Sequence, residues 1–248
     1  ASEFAGRGGP MRIEEQRDPR PLTRRFLAAA QASGIPANPD VSSPEQDGVT
    51  MTPVYQRRGR RWSAVDAYLR PAMKRSNLRV VTGATVVGLD IAEGRVRGVR
   101  WRKSGRDQGA AVTREAILCA GAIGSPQLLM LSGIGPADRL HEVEIEPVID
   151  LPGVGANLQD HPFVTLCFES RDDSDLADAE KPKALLEYVL RRRGPLTSNI
   201  GEAMAFIRTR TGLPAPDVEL IFAPAYYHDH GFDEYDGHAF TLGPVLIS

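Results

Sequence analysis

The sequence has little net charge and lacks any long hydrophobic run. Its 248 residues include 30 Lys or Arg and 32 Asp or Glu, so the formal net charge is -2. Such a balance produces no field that would recruit nucleic acid or an anionic membrane. The basic run from Arg57 to Arg61 is a local exception, and because no aromatic residue interleaves with it to stack bases, a solvated turn is favoured. No run of about 18 apolar residues could span a bilayer.

Cysteine is scarce, and no secretory signal precedes the first charged residues. Cys119 and Cys167 each lie within an apolar stretch, where a thiol packs as a small hydrophobic group. We therefore predict that both are buried and reduced. Because the N-terminus lacks a basic start followed by an apolar core, we also predict a cytoplasmic location.

A hydrophobic content of 42% supplies a sizeable core, and apolar periodicity places the elements within it. Ser63 and Ser125 are predicted N-caps, Pro71 a helix end, and Gly34 and Gly194 helix stops. The predicted helices are 21–33, 64–69, 126–131 and 183–193. The predicted strands are 78–81, 85–91, 95–101, 115–119, 218–223 and 239–247.

Small residues follow the predicted buried strand 115–119. Ala120 and Gly121 would lie where that strand leads into a helix, which is where the backbone can closely approach a dinucleotide phosphate or an adenine edge. A tight turn that binds no ligand is the alternative interpretation of the same residues.

Four segments carry a family resemblance. The segment 121–135, GAIGSPQLLMLSGIG, resembles the second signature of the glucose-methanol-choline (GMC) oxidoreductases at every defined position. The stretch 151–161, LPGVGANLQDH, is similar to the next motif of that family. The segments 59–71 and 194–198 extend the likeness over most of the chain.

The resemblance implies a mixed α/β fold and an FAD cofactor. It assigns residues 1–70 to an arm and helical connection, 71–160 to part of a three-layer FAD-binding domain with a β-meander, and 161–248 to part of an antiparallel-sheet substrate domain. It also implies that the backbone of Val86 contacts the adenine, and that Ala120 and Gly121 allow close approach to the flavin nucleotide.

Two family features are missing from the sequence. No Gly-x-Gly-x-x-Gly turn follows a strand, since Gly6 to Pro10 has neither a strand before it nor a helix after it. The family's catalytic histidine is expected beyond Ser248. We therefore expect an internal fragment that has no catalytic residue of its own, is inactive in isolation and binds FAD weakly or not at all.

His161 and Phe163 are the candidate substrate-side residues. A histidine in an Asn-Leu-Gln-Asp-His turn more often satisfies local backbone groups than acts as a base, and by resemblance it is structural or borders the active site. Choline-oxidising members carry an acidic residue where this chain has Phe163, which favours an uncharged alcohol over choline.

A third group, His228, Asp229 and His230, looks like a metal site. However, residues i and i+2 point to opposite faces of a strand, so a solvated loop is favoured and no metal is expected. Tyr226 and Tyr227 could line a substrate channel or simply pack at its rim.

The implied function is oxidation of a primary or secondary alcohol to a carbonyl by hydride transfer to flavin. The implied partner is a small alcohol, with no nucleic acid and no membrane span, and oligomerisation is left open. Two alternatives remain: a hydroxynitrile lyase of the same fold, and a non-catalytic binding fragment.

Overall fold

The computed structural model describes residues 6–247. The chain divides into two compact units, one formed by residues 1–75 and 161–248 and the other by residues 76–160. The helices are α1 (Pro21–Ala32), α2 (Arg70–Ala72), α3 (Gly121–Leu131), α4 (Ala137–Glu142) and α5 (Pro182–Arg191). The strands are β1 (Gly48–Met51), β2 (Gln56–Arg57), β3 (Arg60–Arg61), β4 (Thr85–Ala92), β5 (Arg95–Lys103), β6 (Arg106–Ala111), β7 (Ile134–Gly135), β8 (Ile149–Asp150), β9 (Leu166–Glu169), β10 (Ala203–Ile207), β11 (Val218–Ala223) and β12 (Ala239–Leu246).

An antiparallel sheet organises the unit built from both ends of the chain. Its strand order is β1-β10-β11-β12-β9, and α1 packs on one face. There the ring of Phe26 stacks on Phe222 with centroids 4.4 Å apart, and Phe222 lies 5.8 Å from Phe240. Val49 and Ala205 complete this core beside the helix. The opposite face of the sheet is therefore the one that remains for loops or ligands.

The unit of residues 76–160 contains a meander, of which two strands were predicted and the third, β6, was not. Strands β4, β5 and β6 form a three-stranded antiparallel sheet, and α3 packs against β4. The Oγ of Ser132, just after α3, accepts a hydrogen bond from the backbone N–H of Leu89 at 2.9 Å. This buried bond fixes the end of α3 against β4. Strands β7 and β8 pair in parallel, and α4 lies between them in the sequence.

The mixed α/β fold class is confirmed, and so are the predicted strands that became β4, β5, β11 and β12. The predicted strands 78–81 and 115–119 are wrong: both segments are irregular, and no described strand pairs with either. Without a partner their apolar side chains stay in solvent, as Ile117 does with 77% of its surface exposed. Cys119, which lies in the second of these segments, is exposed, and Cys167 on β9 is half-buried. The prediction that both cysteines are buried is therefore also wrong.

Two helix boundaries also differ from the prediction. Helix α3 begins at Gly121, five residues before Pro126, so Ser125 lies inside it rather than capping it. The Ser125 Oγ instead accepts a hydrogen bond from the Ala120 N–H at 3.1 Å. Pro71 does not end its helix either, because the helical segment continues to Ala72. The preceding residues Val65–Leu69 form a π-helical turn, in which the Arg70 N–H donates to the Val65 carbonyl, and the helix continues through Pro71.

Candidate functional site

The start of α3 is open to a ligand. Gly121 has a φ of 80°, and a Cβ added there would meet no atom within 4 Å. Ala120 and Gly121 are both exposed. Because the first N–H groups of a helix have no intrahelical acceptor, they can donate to a polar ligand that approaches this glycine. The close approach of a nucleotide to these two residues stays a prediction, and the open backbone around Gly121 leaves room for it.

Val86 lies on β4, the strand against which α3 packs. It pairs with Trp101 of β5, and the register shifts between Val86 and Gly88. A register shift of this kind marks a bulge, which leaves backbone groups outside the regular ladder. The side chain of Val86 is 41% exposed. The three residues predicted to contact the cofactor therefore belong to the same unit, on two elements that touch.

These residues fit part of a flavin nucleotide. An adenine edge needs backbone donors and acceptors with free space in front of them, and the open glycine at Gly121 supplies such space. Next to Val86, the register shift leaves Val87 without a partner in the ladder. A Gly-x-Gly-x-x-Gly turn, which would hold the pyrophosphate, is absent from the sequence. The match is therefore to the adenine side of the cofactor.

The free face of the large sheet carries the two substrate-side candidates. Residues 162–164 run along β12, with the N–H of Val164 bonded to the Pro244 carbonyl at 3.2 Å and Phe163 bridged to Val245. The Phe163 ring lies directly over Gly243, so close that a Cβ atom added to that glycine would clash with the ring. Glycine at 243 is therefore what allows the aromatic ring to lie on the sheet.

Neighbouring positions on this face are mainly apolar. Directly opposed residues in an antiparallel pair point to the same side of the sheet, and Gly243 faces Ile221, which in turn faces Met204. The Tyr227 ring lies 6.3 Å from that of Phe163. Phe163 itself is 42% exposed. This face therefore presents an apolar wall with an exposed aromatic edge.

One titratable pair lies at the edge of the wall. Burial raises the pKa of the half-buried Glu219 carboxyl, and the charge of His161 opposes that rise. Glu219 faces Val245, so it points to the same side as Phe163. His161 is exposed at the surface of this unit. The structure thus brings His161 near an acidic group without burying it as a catalytic base usually is.

The histidine-rich segment forms an exposed loop. The Nδ1 of His228 lies 2.6 Å from the Oδ2 of Asp233, and His230 lies in a short turn. Across residues 6–247, no group of three or more His, Cys, Asp or Glu side chains is arranged to hold a metal ion. Within the same range, we find no helix with the length and apolar character that a membrane crossing requires.

Sequence reasoning missed two buried carboxylates. Glu202 has no exposed surface and accepts hydrogen bonds from the Thr23 hydroxyl at 2.6 Å and the Ser198 hydroxyl at 2.7 Å. Asp175 is 1% exposed and bonds to His238 Nδ1 at 2.8 Å. Their partners are distant in sequence, so no local pattern signals either site.

Comparison with known proteins places these features in a family. The family model described as GMC oxidoreductase matches residues 2–163. An uncharacterized GMC-type oxidoreductase of Mycobacterium tuberculosis is 49% identical over 248 residues, covering 100% of this chain and 47% of that protein. The mitochondrial choline dehydrogenase of Homo sapiens is 39% identical over 252 residues, covering 99% of this chain and 42% of that protein.

The fold of this chain is also similar to that of a solved structure. A formate oxidase of Aspergillus oryzae, studied for modification of its FAD, superposes with a TM-score of 0.86 at 26% identity, covering 97% of this chain and 48% of the other. The FAD cofactor implied by the resemblance is thereby confirmed for the family. The chain spans about half the length of the relatives it matches. It belongs to the GMC oxidoreductase family.

Proposed function

We propose that this chain contributes the adenine side of the FAD site and one wall of the substrate pocket to an enzyme that oxidises a primary or secondary alcohol to a carbonyl. The observation that carries the proposal is the open N-terminus of α3 at Gly121, packed against the strand that holds Val86. Family membership supports the cofactor, and the apolar sheet face supports a small organic substrate. No relative described above is a lyase, so the hydroxynitrile lyase alternative gains no support.

In this proposal, residues 71–160 hold the cofactor and residues 161–248 contribute to the substrate domain. The backbone around Val86 contacts the adenine, and the Ala120–Gly121 turn lets the α3 N–H groups reach the nucleotide. When bound, FAD would accept the hydride of the alcohol. We assign no catalytic residue within this chain. His161 borders the proposed substrate pocket, where its charge would stabilise the ionised form of the Glu219 carboxyl.

Phe163 favours an uncharged substrate. Its ring, together with Ile221 and Met204, offers no carboxylate to a trimethylammonium group. The carboxyl on the same face, Glu219, is half-buried beside the charge of His161. Aromatic faces do attract cations, but a desolvated carboxylate attracts them more strongly. We therefore propose uncharged aliphatic or aromatic alcohols as the substrate class. A cytoplasmic location remains part of this proposal.

The test uses the chain expressed with whatever native sequence flanks it. We expect a yellow protein whose flavin absorbance is bleached anaerobically by 1-propanol or benzyl alcohol. The Gly121→Val variant should lose FAD, because the side chain fills the open space and strains a positive φ. The matched control is Gly94→Val, at a glycine with a φ of 71° and equally open surroundings in the β4–β5 turn.

Equal FAD content in the two glycine variants would refute the role of the α3 N-terminus. A flavin that no alcohol of the panel bleaches would refute the proposed activity even if FAD binds. The two results separate the cofactor proposal from the substrate proposal.

A further inference from the structure

A cleft of about 480 Å³ lies beside the β2–β3 hairpin, within the unit built from both ends of the chain. Arginine dominates its lining. The lining residues are Arg57, Arg58, Arg60, Arg61, Trp62, Asp66, Arg70 and Arg192. The sequence alone favours a solvated turn for the basic run, whereas the structure brings Arg70 and Arg192 to the same cleft.

The positive charge of the cleft exceeds the negative charge beside it, since six arginines line it against Asp66 and the nearby Glu14, whose carboxylate accepts a hydrogen bond from the Arg58 N–H at 3.1 Å. Asp66 is the acidic residue of the lining, and it already accepts hydrogen bonds from the Ser63 N–H and hydroxyl and pairs with Arg70 at 3.1 Å. Among the described residues, no Asp or Glu oxygen lies within 4.0 Å of a guanidinium nitrogen of the other lining arginines, namely Arg57, Arg58, Arg60, Arg61 and Arg192. Like charges held this close repel each other unless an anion neutralises them.

Two of the guanidinium groups are held in place by aromatic rings. The Arg57 guanidinium carbon lies 5.0 Å from the centre of the Trp62 ring, and that of Arg192 lies 4.8 Å from the centre of Tyr188. The Trp62 indole N–H is fixed in turn by the Pro10 carbonyl at 2.8 Å. A stacked guanidinium keeps its edge N–H groups free, so these arginines lose less entropy when an anion binds.

The backbone beneath the cleft is fixed as well. A Cβ at Gly59 would lie 2.5 Å from the Arg192 carbonyl oxygen, so the hairpin turn packs tightly against the loop after α5. The Gln56 side-chain amide donates to the Thr197 carbonyl at 2.6 Å, on the same side of the hairpin. The hairpin arginines and Arg192 therefore project from two segments that are held together, and Arg70 joins them from α2.

We propose that this arginine cleft binds a soluble ligand bearing two or more phosphate groups. A guanidinium presents a planar fork of donors that matches phosphate oxygens, and several such forks around one cleft suit a ligand with several negative charges. A single carboxylate would leave most of these donors unused. The proposal does not depend on the flavin contacts or the alcohol substrate.

The test uses inorganic pyrophosphate as the probe, with sodium chloride at matched ionic strength as the reference. Calorimetric titration of the purified chain should give saturable binding with one site. The Arg60→Ala, Arg61→Ala double variant should weaken that binding by about tenfold or more, since it removes two charge-assisted donors. The control is Arg95→Ala, Arg106→Ala, which removes the same charge from exposed positions on β5 and β6.

Circular dichroism of both double variants should match the parent chain, because the four side chains are exposed. Equal weakening in the two variants would overturn the proposal, since it would show a nonspecific charge effect. Absence of pyrophosphate binding by a folded parent chain would also overturn it. So would binding confined to phosphatidylglycerol-containing vesicles, with none to pyrophosphate or to pure phosphatidylcholine vesicles, because the ligand would then be a lipid surface.

Discussion

Replacement of Glu202 by alanine should strongly destabilise the unit built from both chain ends. The Glu202 carboxylate has no exposed surface and accepts three hydrogen bonds, from the Arg20 N–H at 2.7 Å and from the hydroxyls of Thr23 at 2.6 Å and Ser198 at 2.7 Å. Alanine leaves all three donors without an acceptor. At about 1 to 2 kcal/mol for each such group, the loss in free energy of unfolding should be about 4 kcal/mol.

The Glu202→Gln variant separates hydrogen bonding from charge. Its carbonyl oxygen can replace the Oε2 that accepts from Arg20 and Thr23, and its amide can donate to the Ser198 Oγ. Because all three contacts survive in neutral form, the loss should be only about 1 kcal/mol.

Urea unfolding followed by the fluorescence of Trp62 measures both variants. A Trp101→Phe background removes the other tryptophan, which lies on β5 in the second unit. If Glu202→Gln destabilised the unit as much as Glu202→Ala, the negative charge rather than the three bonds would be responsible. If Glu202→Ala cost less than about 1 kcal/mol, the buried network would not stabilise the unit at all.

Three further predictions concern a pH dependence, a glycine and the substrate wall. The hydrogen bond that His238 donates to the Asp175 carboxylate raises the pKa of His238, so its stabilisation should be complete below the ordinary histidine pKa and lost as pH rises through the higher folded value. Urea midpoints of the parent and His238→Gln should therefore differ more at about pH 5.5 than at about pH 9, and an equal difference would contradict this. Gly59→Ala should cost about 2 to 3 kcal/mol in thermal unfolding, because the Cβ meets a backbone carbonyl at 2.5 Å, whereas Gly34→Ala, with a positive φ but open space, should cost about 1 kcal/mol. Similar costs would show that strain alone matters at both sites. In the protein with its native flanks, Phe163→Glu should raise kcat/KM for choline relative to 1-propanol about tenfold, and the size-matched Phe163→Leu should not. A choline preference in the parent enzyme would refute the assignment of Phe163.

Local patterns predicted several of the elements whose stability is mostly local, but they missed β6, which forms a hairpin with β5. Strands β4 and β5 form a hairpin around Glu93 and Gly94, and helix α1 has a proline start and a glycine stop, so sequence shows them clearly. Strands β1, β9 and β10 were missed. Strands β1 and β9 are short and their partners are distant in the chain, as with Gly48 and Phe206, whereas β10 pairs with both the distant β1 and the nearby β11. Their strand character comes from the sheet rather than from the residues themselves.

The site divides in the same way. The residues Ala120 and Gly121 were proposed from the run of small residues, although the helix expected to start at Pro126 begins at Gly121. The arginine cleft could not be predicted, because Arg192 reaches the hairpin of Arg57 only through the tertiary fold. Apolar composition also misled the prediction for the segment around Cys119, since an apolar run forms a strand only where another strand pairs with it.

The pairing of β1 with β10 has a consequence for synthesis on the ribosome. Strand β1 can pair only after β10, which contains Phe206, has been synthesised. The strands of the meander, β4 to β6, pair with one another and need no residue beyond position 160. Elements with local contacts form fastest, and domains fold as units during translation. The meander should therefore fold while α1 and β1 are still unpaired with the rest of the large sheet. Nascent chains arrested before β10 should show protease resistance only in the inserted unit.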